Sequence, residues 1–283
     1  MYKHMLIDSK NILYRAIYAG LSDKYEYNYS VIFFRFINVR LQQFKPENVH
    51  FMWDRPKDEL WRRRVYSMYK EGRKHAAYPG VDIDKIVEDT TATLKELIVG
   101  LGCRSFELEK QECDDLIYAF CKARRNEKIV ILSSDGDFMQ LPYYFDNVTF
   151  FNLNRQEVHV NDGIDPVELK CFGGENGDNI PGYTGIGPVK AKVLAEDVKK
   201  RAEFLEIHGE DTYRRNRALI DLSLCPYTLG NCIYISKMLA EPAKFDMDKI
   251  TEVIKNRKVS GLSSEISKIL LPFKFLCKNK IGG

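Results

Sequence analysis

The sequence lacks several features that would place it quickly. Its seven cysteines, at 103, 113, 121, 171, 225, 232 and 277, include no Cys-x-x-Cys pair, and an odd number cannot all pair off. That argues against a disulfide framework or a zinc ribbon and for reduced thiols with packing roles. Five scattered histidines show no metal-ligand spacing either. The longest uncharged stretch, Leu222 to Ser236, is broken by Pro226 and Gly230, and no cationic leader with an apolar run follows Met1. Neither a membrane span nor a signal peptide is therefore expected, and the default location is the cytoplasm. No internal repeat, low-complexity tract or linker divides the 283 residues, and a net charge of +3 gives no global excess of either sign. What is present is a globular composition, 45% hydrophobic, sufficient for one large or two modest domains packed together.

Charge placement is more informative than total charge. Met5-Leu6-Ile7, Val49 to Trp53 and Ile129 to Leu132 read as buried strands of a parallel sheet, and alternate with helical patterns up to about residue 155. One helical pattern is Ile83, Ile86, Val87, Leu94, Leu97, Ile98 and Leu101, and another runs from Asp114-Asp115 to Arg125. The expected fold is α/β, a central mostly parallel sheet flanked by helices, with a mainly helical region from Asp165 onward. Ligands of such sheets bind beyond the carboxyl ends of the strands. Asp8, Asp54 and Asp135 each follow such an end, and Glu112, Asp114 and Asp115 stand at a loop-to-helix junction. Like charges gathered there would repel and force protonation unless divalent cations offset them, and hard oxygen ligands select Mg²⁺, Mn²⁺ or Ca²⁺.

Each motif also has a plainer reading. Asp135-Gly136-Asp137 can be a turn, Asp8 and Asp54 can cap helices, and acidic residues at 112 to 115 can complement a helix dipole. Residues 55 to 75 carry Arg55, Lys57, Arg62, Arg63, Arg64, Lys70, Arg73 and Lys74 against Asp58, Glu59 and Glu71, interleaved with Trp61, Tyr66 and Tyr69. This suits either a nucleic-acid strand or a solvated helix face. Gly182 to Gly187, ahead of Pro188, is either a phosphate-holding hairpin or a plain helix-helix turn. It is not a nucleotide P-loop, because Pro188 stands where Lys is required.

Taken in order, these pieces resemble the flap endonuclease or 5′-nuclease family. Asp8-Ser9-Lys10-Asn11 with Tyr14-Arg15 is similar to its amino-terminal motif, and Phe51 to Pro56 holds its second strand-end aspartate. Trp61 to Arg73 resembles its basic helical arch, Glu112-Cys113-Asp114-Asp115 its Glu-Ala-Asp-Asp, and Ser133 to Phe138 its next aspartate string. Gly177 to Gly182 followed by Gly185-Ile186-Gly187 resembles its last metal motif and helix-three-turn-helix. Two departures stand out: Glu175 where the family usually has Asp, and Val189 at the usual hairpin lysine, with Lys190 one residue late.

The resemblance implies a PIN-like α/β core over residues 1 to 164, with an arch at about 56 to 84, and a duplex-binding helical region over 165 to 283, with the helix-three-turn-helix at about 173 to 197. It implies two Mg²⁺ ions, replaceable by Mn²⁺. Asp8, Asp54, Glu112 and Asp114 would hold one, and Asp135, Asp137, Asp178 and Glu175, with Asp114 or Asp115 shared, the other. Lys70 and Arg73 would approach the scissile phosphate, while Asn11, Arg15, Arg62, Arg63 and Lys74 would contact the strand. Gly185, Gly187 and Lys190 would grip duplex, with K⁺ at the hairpin. The implied role is a replication nuclease cutting branched or nicked duplex and RNA–DNA hybrids, acting as a monomer, in the host cytoplasm if phage-encoded. Implied partners are a sliding clamp or a single-strand-binding protein. Residues 270 to 275 read as a clamp-binding tail or as a buried apolar segment. A single-strand ribonuclease and a non-catalytic DNA-binding scaffold are the rival readings.

Overall fold

The computed structural model describes residues 1–22, 28–72, 78–159, 165–259, 268–270, 272–274 and 276. Six strands form the central sheet: β1 (His4–Asp8), β2 (Asn48–Met52), β3 (Arg104–Phe106), β4 (Ile129–Ser133), β5 (Val148–Asn152) and β6 (Glu157–His159). Their spatial order is β3-β2-β1-β4-β5-β6, all parallel except the antiparallel edge pair β5-β6. The short strands β7 (Gly174–Glu175) and β8 (Ile180–Pro181) make a separate antiparallel pair. Sequence reading missed β3 and β6, which are only three residues long, and β5.

Side-chain alternation explains why the sheet is covered on both faces. Met5, Ile7, Phe51, Val130 and Leu132 enter one core, with helices α1 (Ser9–Ser22), α2 (Tyr29–Phe44) and, after the short α3 (Arg62–Val65), α4 (Ile83–Gly100). Leu6, Met52, Ile129 and Ile131 enter the other, built with α5 (Cys113–Ala123) and α6 (Gln140–Tyr144). Helix α7 (Pro166–Gly173) opens the helical region, followed by α8 (Pro188–Glu196), α9 (Val198–His208), α10 (Asp211–Ile220), α11 (Thr228–Ala240) and α12 (Met247–Asn256). Of these, α11 packs on α5 and α12 on α4, so the later helices lean back on both faces of the sheet-bearing part.

Caps set several helix starts. Asp82 accepts from the Lys85 amide, Asp165 from Val167 with Pro166 in the first turn, and Asp197 from both Lys199 and Lys200. Among the described residues the cysteines are free thiols, four of them buried. Leu270 and Phe273 are fully buried, Phe273 lying edge-on to Phe34, as a buried apolar segment requires. Leu271 and Phe275 lie outside the described residues.

Candidate active site

Because β1, β2 and β4 are parallel and in near register, with Asp8 opposite Met52 and Ile7 opposite Leu132, the residues that follow them emerge on one sheet edge. A cleft of about 890 Å³ opens there, lined by Asp8, Asp54, Glu112, Asp114 and Asp135 together with Asn11, Arg15 and Lys70. Hydrogen bonds fix the carboxylates. Asp8 accepts from Ser133 Oγ at 2.6 Å and from the Asn11 amide at 3.2 Å, and Asp54 accepts from the Cys113 amide at 2.8 Å. Asn11 Oδ1 in turn accepts from the Ser134 amide and hydroxyl, and Asp135 accepts from the Asp137 amide at 2.9 Å.

The electrostatic cost of this gathering is visible in the carboxyls. Burial, then the charges of Asp54 and Asp135, push Asp8 up to about 7. Burial and Asp137 push Asp135 up to about 6. Burial also drives Asp114 well above the usual carboxylate range, reinforced by Asp115 and Glu112 against the relief from Arg62. Glu112 goes the other way: burial opposes its charge, but Lys70 and Arg62 override that and hold it at about 2.

Two lysines in and beside the cleft act as internal cations. Lys70, in left-handed backbone at φ 55°, bonds Glu112 through Nζ, lies 3.6 Å from Asp178, and donates its amide to the Asp178 carbonyl at 2.9 Å. The Tyr69 hydroxyl stands 3.0 Å from Glu112 and 3.1 Å from Asp178, tying the segment after α3 to that second carboxylate. Beside the cleft, Lys170 Nζ bonds Asp137 and lies 2.5 Å from Glu175. Asp137, Glu175 and Asp178 therefore adjoin the cleft rather than line it. Among the described residues no three carboxylate, thiol or imidazole groups surround one point as a ready metal cage. Ammonium groups stand within two of the pairs, Lys70 between Glu112 and Asp178 and Lys170 between Asp137 and Glu175.

Two expected roles do not fit the geometry. Arg62 is 1% exposed: its guanidinium spans Asp115 at 2.9 and 3.0 Å, Glu112 at 2.9 Å and the Leu219 carbonyl at 2.8 Å, leaving nothing for a DNA strand. Asp115 is fully buried, spent on Arg62, on the Trp61 indole at 3.0 Å and on the capping box of α5 with Glu112, so it has no free face for a metal. This interior ion pair takes Arg62 out of the basic surface, while Arg63 is half-buried and Arg64 exposed.

Arg15 bonds Asn154 at the cleft margin, and Arg63 pairs with Glu71 at 2.8 Å and with the Tyr69 carbonyl. Arg73 and Lys74 lie outside the described residues. Gly185, at φ +78°, and Gly187 face open space ahead of α8, and Lys190 is exposed on its first turn. Lys170, Ser133 and the Tyr69 hydroxyl were not assigned from sequence. Strand-end serine and aromatic spacing hinted at the last two, whereas nothing local marks Lys170.

Similar folds are known. The bacteriophage T5 flap endonuclease in a pseudo-enzyme–product complex with DNA and metal ions superposes with a TM-score of 0.66 at 16% identity, covering 90% of this chain and 99% of that one. The catalytic core of Rad2 in complex with DNA substrate gives 0.54 at 14% identity, covering 96% and 92%. These likenesses define the class by its fold, a 5′-nuclease fold. A family profile described as 5′-3′ exonuclease, N-terminal resolvase-like domain, matches residues 3–168. Flap endonuclease Xni of Shewanella sp. (strain MR-4) is 30% identical over 209 residues, 69% of this chain and 75% of its own length. A 5′-3′ exonuclease of Aquifex aeolicus is 23% identical over 293 residues, 93% and 95%. The chain belongs to the 5′-3′ exonuclease and flap endonuclease family.

Proposed function

We propose that this protein is a Mg²⁺-dependent, structure-specific 5′ nuclease that hydrolyses phosphodiester bonds near junctions of branched or nicked duplex, with RNA primers in RNA–DNA hybrids among its targets. The observation that carries the reading is the convergence of Asp8, Asp54, Glu112, Asp114 and Asp135 in one cleft that Lys70 also lines. The donors suit hard divalent cations: they are all oxygen, they outnumber Arg62, Lys70 and Lys170, and Asp8 and Asp135 are raised toward protonation by burial and by neighbouring carboxylates. Asp8, Asp54, Glu112 and Asp114 would hold one ion; Asp135, Asp137, Asp178 and Glu175, with Asp114 shared, would hold the other. When bound, such ions favour a nucleophile derived from water and offset charge on the reacting phosphate.

The remaining work falls to the chain itself. Ser133 and Asn11 aim the Asp8 carboxylate, and Arg62 keeps Glu112 charged from beneath. Lys70 supplies positive charge that can pass from Glu112 to a phosphate where negative charge accumulates, with Arg73 beside it in sequence. Arg15 seats the 5′ strand at the cleft margin, with Arg63 and Lys74 supporting the strand. Gly185, Gly187 and Lys190 hold duplex backbone, with K⁺ a candidate there. DNA and metal ions in the T5 complex and DNA substrate in the Rad2 complex support these assignments by analogy. The proposed setting is replication, in the cytoplasm of a cell or of a phage-infected host, as a monomer meeting a clamp or single-strand-binding protein.

Product mapping tests the reading on a 5′-labelled flap, a nicked RNA–DNA hybrid and single-stranded RNA, each with and without Mg²⁺. Metal-dependent cuts at the junction are expected. Cleavage confined to single-stranded RNA would favour the ribonuclease rival, and no cleavage with Mg²⁺ or Mn²⁺ would favour a scaffold.

A further inference from the structure

Resting on that nuclease reading, we infer that Lys170 is a resident counter-cation for Asp137 and Glu175, and that a divalent ion reaches this pair only by displacing the ammonium, so the protein binds its two ions with unequal affinity. Lys170 Nζ bonds Asp137 Oδ1 and stands 2.5 Å from Glu175 Oε2, and all three side chains are about a quarter exposed. Among the described residues no other cation pairs with either carboxylate. An ammonium on a four-carbon stem is a compact point charge that can leave as a unit, making the exchange one for one.

Lys70 is placed differently. If it leaves Glu112, Arg62 still neutralises that carboxylate at 2.9 Å, and Tyr69 still contacts it at 3.0 Å. If Lys170 leaves, Asp137 and Glu175 face each other with no internal cation. Occupancy at this pair must therefore overcome an interaction that Asp8 and Asp54 do not make.

The backbone around Lys170 gives little room to share the space. The Cys171 carbonyl accepts from Asn216 Nδ2 at 3.0 Å. Gly182 approaches Gly173 so closely that a Cβ would lie 2.4 Å from the Gly173 carbonyl carbon. The end of α7 is thus pinned, and exchange falls to the lysine side chain.

The test is Mn²⁺ titration of the full-length, metal-free protein by calorimetry and by the paramagnetic resonance of unbound Mn²⁺. Wild type should show one tighter and one weaker site. Lys170→Met, which keeps the stem and removes the charge, should tighten the weaker site at least about tenfold, or about 1.4 kcal/mol, and leave the tighter one within about threefold. Lys170→Arg should leave the weaker site no tighter than wild type. Should Lys170→Met not fold, Lys170→Gln carries the same expectation. Two equally tight ions in wild type, or a weaker site unchanged or loosened by loss of the charge, would overturn the inference. Flap cleavage by the wild type, measured alongside, separates the failures: cutting without the predicted tightening refutes Lys170 alone, and no cutting with any metal removes the nuclease reading itself.

Discussion

The two groups of carboxylates at the site are built in different ways. Asp8, Asp54 and Asp135 project from the ends of parallel strands locked in register by the core, and uncharged donors hold them: Ser133 and the Asn11 amide for Asp8, the Cys113 amide for Asp54 and the Asp137 amide for Asp135. Asp137 comes from a one-turn helix after β4, Glu175 from β7 and Asp178 from the turn between β7 and β8; Lys170 joins the first two, while Tyr69 and Lys70 tie Asp178 to Glu112. The first group is preorganised and short of positive charge. The second is already neutralised by the chain. Strand ends can hold like charges together against their repulsion, whereas turns hold them only with a cation between.

Breaking the first group should have the largest effect. Asp135→Asn is expected to lower single-turnover flap cleavage by about 10³-fold or more while DNA affinity stays near wild type, because phosphate contacts lie elsewhere. Near-normal cleavage would remove Asp135 from the mechanism. Lys70→Ala should slow the same step by about 10²-fold with modestly weaker binding, as for loss of one charge at a reacting phosphate. An unchanged rate would confine Lys70 to neutralising Glu112. Asp137→Asn should cost less than Asp135→Asn, on the order of tenfold at saturating Mg²⁺, since its pair is held in competition. Equal losses from the two variants would erase the contrast drawn above.

The smallest effect concerns pH. Asp8, at about 7, and Asp135, at about 6, are raised above their unfolded values, so the folded protein binds more protons than the unfolded chain between about pH 4 and 7. Stability of the metal-free protein should therefore fall as pH rises through that window, by on the order of 5 °C in melting temperature. Asp8→Asn should flatten the dependence, and Mg²⁺ should reverse it. A melting temperature that climbs from pH 5 to 7.5 without metal would contradict the idea of uncompensated charge.

The contrast also governs what could be read without coordinates. Asp8, Asp54 and Asp135 were legible because each is the first acidic residue after an apolar strand, and parallel pairing sends such residues to one edge. The helices from Ile83 and from Cys113 were equally plain, since their apolar spacing is long and regular. Arg62 was expected on a nucleic-acid strand because Arg62-Arg63-Arg64 sits in a basic run interleaved with aromatic residues. Its burial depends on Leu219, 157 residues away, and on the α5 cap, which no local pattern encodes. Lys170 was invisible for the same reason: its meaning lies in two carboxylates brought to it by separate turns. Short strands such as Arg104–Phe106 carry too few residues for a period to register.

The seating of Phe273 against Phe34 bears on recruitment. A contact that grips residues 270–275, as the clamp-binding reading of this segment requires, would first lever an aromatic anchor out of the interior beside α2, uncovering apolar surface as it does so. Docking through that segment would loosen the protein it recruits, so a partner contact that leaves the enzyme intact belongs on another surface.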